Sequence, residues 1–302
     1  MAFVFYAVDL ANRSSDVASA GGTAHTAHTA GTTAHTAAKS GKKTALPRSR
    51  SLRIGFSLTV LGFILHVAAA ALRGLAAERV PFANMYEFAL TATVAIVGIF
   101  LLVQFFVDLR FLGALVTGLT VLFLILTKMN YYVAVVPLPP ALDSYWLIIH
   151  ILVAVLAVGF LTLSFGLSVL QLLQTRRVNA AKAATEGETE TLRFMRSFPD
   201  EVRLEDLSYR MAIIGFVFWT FTLIAGSIWA EAAWSRYWGW DTKEVWTFVI
   251  WVLYAGFIHA RATRGWRGTR SAWLSIVAYT AVIFNFTIVN VFFKGLHAYS
   301  GL

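Results

Sequence analysis

Seven apolar stretches run through this chain, at roughly 53–72, 88–107, 111–128, 145–173, 211–230, 246–262 and 272–293. A bilayer's hydrocarbon core is crossed by about 20 apolar residues in a helix. Its interior offers no water to an unpaired peptide group, so single stretches of this length must be helical. The fourth is long enough to tilt or to project from the bilayer. At 58% hydrophobic residues, the chain carries more apolar surface than a soluble domain of its size conceals. The expected fold is an all-α polytopic membrane protein, with about seven complete transmembrane helices and a short N-terminal helix that reads as truncated.

The net charge of +9 invites comparison with nucleic-acid-binding proteins, but its distribution excludes that class. Lys39, Lys42, Lys43, Arg48, Arg50 and Arg53 precede the first stretch. Arg176, Arg177, Lys182, Arg193, Arg196, Arg203 and Arg210 lie between the fourth and fifth, and Arg261, Arg264, Arg267 and Arg270 between the sixth and seventh. Alternate loops hold few cations, among them Arg73, Arg79, Arg236, Lys243 and Lys294. This alternation is the positive-inside pattern. It predicts that residues 39–53, the 176–210 loop and the 261–271 turn are cytoplasmic, and that segment 229–246 and the C-terminus are extracytoplasmic.

Residues 1–11 hold an apolar run too short to span, readable as an interfacial anchor or as the tail of a longer helix. Residues 12–50 read as a low-complexity cytoplasmic linker of Ala, Thr, Gly and Ser with His25, His28 and His35, a composition that cannot bury a core. Residues 51–302 form the transmembrane domain. The chain has no cysteine, so any thiol chemistry belongs to a partner.

Five of the ten tryptophans fall in one loop segment: Trp229, Trp234, Trp238, Trp240 and Trp246, with Arg236, Tyr237 and Asp241 among them. Interfacial anchoring accounts for two or three. Five suggest a flat apolar platform for a large planar ligand. Asp241 and Glu244 fit a capping pair at the start of the sixth helix, and Arg236 and Lys243 read as outward cations suited to carboxylates.

Ionisable residues inside a membrane are costly and are candidates for function. His150 lies about 7 Å below the outer interface at a rise of about 1.5 Å per residue, and His297 follows the last span on the same side. Two imidazoles beside an aromatic surface suit a bis-histidine haem site. The alternative leaves His150 in an interhelical bond and His297 in a solvated tail. His259 lies near the opposite face, so a second ligand there would come from another subunit. For His66, an interhelical hydrogen bond is the better reading.

The stretch from Trp229 to Trp246, flanked by His150 and His297, resembles the tryptophan-rich WWD signature of haem-handling proteins of c-type cytochrome assembly, most closely the CcsA (ResC) type of System II. The resemblance covers about residues 50–302. Two features depart from it: Thr242 stands where a proline is usual, and the first of eight spans is reduced to residues 1–11. The resemblance implies haem b as a non-covalent substrate in transit, with His150, His297 and His259 as iron ligands. It implies cofactor contacts from Trp229, Trp234, Arg236, Tyr237, Trp238, Trp240, Asp241 and Trp246, and no dedicated catalytic residue. It implies a CcsB (ResB) partner, an apocytochrome c, a thiol–disulfide reductant, membrane lipid around the spans and a place in the plasma (inner) membrane. The expected role is a subunit of a cytochrome c synthase. A haem exporter without attachment activity and a b-type electron-transfer subunit are the alternatives.

Overall fold

The computed structural model describes residues 1–24, 49–135, 138, 142–183, 192–293 and 295–296. These residues form helices and connecting turns: α1 (Ala2–Ala24), α2 (Arg50–Ala76), α3 (Met85–Val103), α4 (Gly113–Asn130), α5 (Tyr145–Ala183), α6 (Glu201–Trp234), α7 (Thr242–Arg264) and α8 (Thr269–Phe284). Seven of the described helical segments are long and apolar enough to cross a membrane, as the hydropathy pattern predicts. The protein is an all-α polytopic membrane protein.

α5 is the most buried span and stands at the centre, packed along much of α6 and against α3 and α8. In lipid, helices associate through small side chains and hydroxyl contacts rather than through the hydrophobic effect. The seam of α5, α6 and α8 has both. Ser164 lies 3.0 Å from Ser208 and 3.3 Å from Ser275, and Ser168 lies 2.7 Å from Ser208. α2 and α7 are the least buried spans.

The end of the bundle that carries the basic clusters is stapled by one carboxylate. Glu205 of α6 accepts from Arg261 Nε of α7 at 3.1 Å, from the Gly268 N–H before α8 at 2.7 Å and from Gln171 Nε2 of α5 at 3.3 Å. Arg261 also reaches Asp206 at 2.5 Å. Four helices meet there, so the seven-residue basic cluster is not simply a solvated loop: α5 runs on to Ala183 and α6 starts at Glu201, where Asp200 caps it. Hydropathy marks the bilayer thickness, whereas the caps mark where the helices end. The acidic stretch 186–190 lies outside the described residues.

α1 departs from its expected boundary. It passes residue 11 and continues to Ala24, helped by an i,i+4 ion pair between Asp9 and Arg13 at 2.8 Å. It is no detached surface anchor. Tyr6 is buried against Gly55 of α2 and Gly113 of α4 and accepts from Thr59 Oγ1 at 3.3 Å, and Ser49 hydrogen-bonds Asp9. His25, His28 and His35 of the expected linker lie outside the described residues, as do Pro137, Pro139 and Pro140.

A second departure is at the other end of the bundle. The last apolar stretch predicts one continuous helix over 272–293. Instead α8 passes into a π-helical turn, Asn285–Val289, and a final turn, Asn290–Phe292. Lys243 supplies the physical reason. Its Nζ donates to the Asn285 carbonyl at 3.0 Å and to Asn290 Oδ1 at 2.7 Å, capturing a carbonyl that regular helix geometry would use internally.

Candidate functional site

A cavity of about 490 Å³ opens at the tryptophan-rich end of the bundle, between α3, α4, α5, α6 and the π-turn. That volume lies in the range of small-molecule and cofactor sites, about 300–1,000 Å³. Its wall is mostly apolar: Phe82 and Phe88, Phe123, Leu147 and Ile151, Trp219 and Trp229, and Ile283 and Phe286. A few polar groups converge on it, His150, Lys243, Glu244, Asn285 and Asn290 among them.

His150 projects from α5 toward α6. Its Nδ1 lies 3.0 Å from the Thr222 carbonyl oxygen. A carbonyl only accepts, so Nδ1 carries the proton and Nε2 the lone pair. This is how a carbonyl behind the ring fixes the tautomer of a ligating imidazole. The ring is stacked on Trp229, 5.8 Å between centroids at 15°. Gly226 of α6 makes room for it: a Cβ there would sit 2.8 Å from His150 Cε1. The seat for this ring is thus made by a glycine, a carbonyl and an indole of one helix face.

The tryptophans do not form one flat platform. Trp229 is buried beside His150, and Trp234 meets it edge-on at 4.8 Å and 62°. Tyr237 and Trp238 line the cavity. Trp240 turns away, 78% exposed, with its ring nearly perpendicular to that of Trp238 at 6.1 Å. Trp246 packs on Phe284 of α8 at 4.4 Å. The reason is local backbone geometry. Ser235 and Trp240 both have positive φ, 54° and 58°, and each reverses the chain, so successive indoles point different ways.

The expected capping pair is present: Asp241 and Glu244 form a capping box at the start of α7, and Glu244 Oε2 also accepts from the Gly239 N–H at 2.8 Å. The two cations are placed differently from the expectation. Lys243 is not an outward cation but lies inside, held by Asn285 and Asn290. The Arg236 guanidinium lies half-buried on Gly239. Lys243 thus ties the start of α7 to the π-turn of the last span, and the Arg236 guanidinium fills the space that a side chain on Gly239 would take.

His259 stands exposed on α7, about 25 Å along the helix from its start at about 1.5 Å per residue, away from the cavity and two residues before Arg261. His66 Nε2 lies 3.4 Å from Thr93 Oγ1 of α3, the interhelical contact expected of it. His297 lies outside the described residues, but Leu296 before it is tied to the segment: its N–H donates to Asp241 Oδ2 at 2.7 Å. Among the described residues no group of three or more His, Cys, Asp or Glu side chains gathers as for a metal ion.

One wall of the cavity rests on a buried carboxylate that sequence reasoning missed. Glu87, fully buried, accepts from Arg73 Nε at 3.0 Å, Arg79 Nη1 at 2.7 Å and the Ala83 N–H at 2.9 Å. Arg73 also donates to the Val133 carbonyl at 3.0 Å. This knot holds the turn bearing Phe82 and Asn84, which line the cavity. A carboxylate at a helix N-terminus three residues after Asn84 signals a capping role, and only the tertiary structure adds the two arginines.

Comparison with known proteins places this arrangement. The family model described as Cytochrome C assembly protein matches residues 58–297. The chain is 30% identical over 261 residues to the cytochrome c biogenesis protein CcsA of Guillardia theta, covering 82% of this chain and 86% of that protein. It is 30% identical over 292 residues to the CcsA of Synechococcus elongatus, covering 84% and 90%, and 37% identical over 173 residues to that of Prochlorococcus marinus subsp. pastoris, covering 54% and 55%.

Proposed function

The chain belongs to the cytochrome c assembly protein family, and on that premise we propose that it is the haem-presenting membrane subunit of a cytochrome c synthase. The observation that carries this reading is His150: a ring seated by Gly226, Trp229 and the Thr222 carbonyl, on a residue that lines an apolar cavity. Family membership gives the role in cytochrome c biogenesis. The cavity gives a place for a large planar substrate, which we take to be haem b.

In this account His150 binds iron on one side and His297 on the other. Two neutral imidazoles favour low-spin iron and hold the porphyrin at one tilt. Trp229 backs the His150 ring, and Trp238 would add apolar contact that excludes water. The partner in the reaction is an apocytochrome c with a Cys-x-x-Cys-His segment. Each thiol adds across a vinyl double bond: the sulfur bonds to one carbon, a proton goes to the other, and no electrons are lost or gained overall. The incoming histidine then replaces one of this chain's imidazoles. The chain contributes position and ligation rather than a nucleophile. A thiol–disulfide reductant keeps the cysteines reduced, and a CcsB-type subunit supplies the second ligand opposite His259, whose exposed place on α7 suits a contact between subunits. The tryptophan-rich end is extracytoplasmic and the basic end cytoplasmic, in the plasma membrane, by the positive-inside pattern.

A b-type electron carrier needs ligand pairs within the chain, and the placements of His66, His150 and His259 do not favour it. The test is co-expression of this chain, a CcsB-type partner and an apocytochrome c in a host lacking its own assembly system. Covalent haem on the cytochrome, surviving denaturing electrophoresis, is the expected outcome. Haem accumulating outside the membrane with none attached would make the chain an exporter.

A further inference from the structure

The signature's acidic residue has an assignment beyond capping: we infer that Asp241 is a positioning residue that latches the chain at Leu296, the residue before the proposed ligand His297, to the start of α7. The inference rests on the proposed ligation by His297 and adds the mechanism that holds it. One carboxylate oxygen, Oδ1, accepts the Lys243 N–H at 2.7 Å within the capping box. The other, Oδ2, accepts the Leu296 N–H at 2.7 Å. Leu296 is the residue before His297 in the chain.

Three further observations make this a latch rather than a passing contact. Gly295 lies so close that a Cβ on it would be 2.3 Å from Asp241 Oδ2, so the carboxylate reaches the backbone only because residue 295 has no side chain. Lys243, two residues along, holds the same C-terminal stretch through Asn285 and Asn290. Asp241 and Lys243 thus grip the chain before and after its final turn. The Asp241 N–H is itself held, donating to Glu244 Oε2 at 3.1 Å, which fixes the carboxylate's direction. A carboxylate is needed because one oxygen serves the helix and the other the tail, and a carboxylate accepts such N–H bonds strongly.

The discriminating variants are Asp241→Ser, which keeps a good helix cap but has one oxygen, and Gly295→Ala, which blocks the approach from the other side. Both are made in the full chain in detergent, beside His297→Ala. In the protein without haem, both should raise amide hydrogen exchange at 293–302 at least tenfold, with the α7 amides unchanged. With added haemin, reduced by dithionite, both should lose at least half of the low-spin signal and regain it with millimolar imidazole, as His297→Ala does. If His297→Ala alters the spectrum while the two latch variants keep wild-type exchange and spin state, the latch is wrong and the ligand assignment stands. If His297→Ala leaves the spectrum unchanged, the ligand assignment itself fails. Loss of haem affinity with exchange unchanged would make Asp241 a haem contact, and would also overturn the latch.

Discussion

At the scale of single residues, the site depends on small groups placed against large ones. Gly226 carries no chemistry, yet the His150 ring occupies the space of its missing side chain. Gly226→Ala should therefore push the imidazole off the Thr222 carbonyl and reduce covalent attachment at least tenfold. Added imidazole should restore part of it, while folding measured by circular dichroism stays within the wild-type range. Unchanged attachment would show that the ring's seat is unimportant. Trp240 makes the opposite case. A bulky residue at a φ of 58° is strained, by about 1–3 kcal/mol, and its ring is mostly exposed. Asn tolerates that backbone, so Trp240→Asn should raise or preserve thermal stability while lowering attachment. If stability falls and attachment holds, the exposed indole serves packing, not an incoming substrate. The sequence made His150 and the tryptophan cluster legible, because an ionisable group in an apolar run and five indoles in one short segment have few bland explanations. It did not show which indoles face the cavity. That depends on two left-handed residues, Ser235 and Trp240, and neither type marks such a turn.

At the scale of elements, apolar runs located the spans, and capping chemistry set their true ends. The capping box of α7 was readable because Asp241 and Glu244 have the spacing that the motif needs. The π-turn in the last span was not, because its cause is a lysine 42 positions earlier in the chain. The extension of α1 is not legible in the sequence, because alanine-rich low complexity suits a helix as well as a linker. The turn between α2 and α3 holds the plainest energetic statement in the molecule. Glu87 pairs with two arginines in a buried knot, and removing one partner of a buried ion pair costs about 3–5 kcal/mol. Glu87→Ala should lower the thermal midpoint by several degrees and loosen the 79–87 turn to proteolysis, with loss of haem binding following from the open cavity. A midpoint equal to wild type would mean that the knot contributes nothing net.

At the scale of the whole molecule, the bundle separates two jobs by depth. The basic end is closed by Glu205 and Arg261 and leaves His259 on an outer face. The tryptophan-rich end holds the cavity, His150 and the C-terminal latch. His259→Ala should therefore leave the spin state of haem added to the isolated chain unchanged, while lowering attachment in the assembled system; a changed spin state in the isolated chain would join the two ends functionally. The central claim is that His150 and His297 together hold haem iron at the tryptophan-rich end. Resonance Raman spectra of dithionite-reduced haem bound to the purified chain test it most directly, comparing wild type with His150→Ala and His297→Ala. The account predicts six-coordinate low-spin iron in the wild type and five-coordinate high-spin iron in each variant, reversed by imidazole. Low-spin iron persisting in either variant would contradict it.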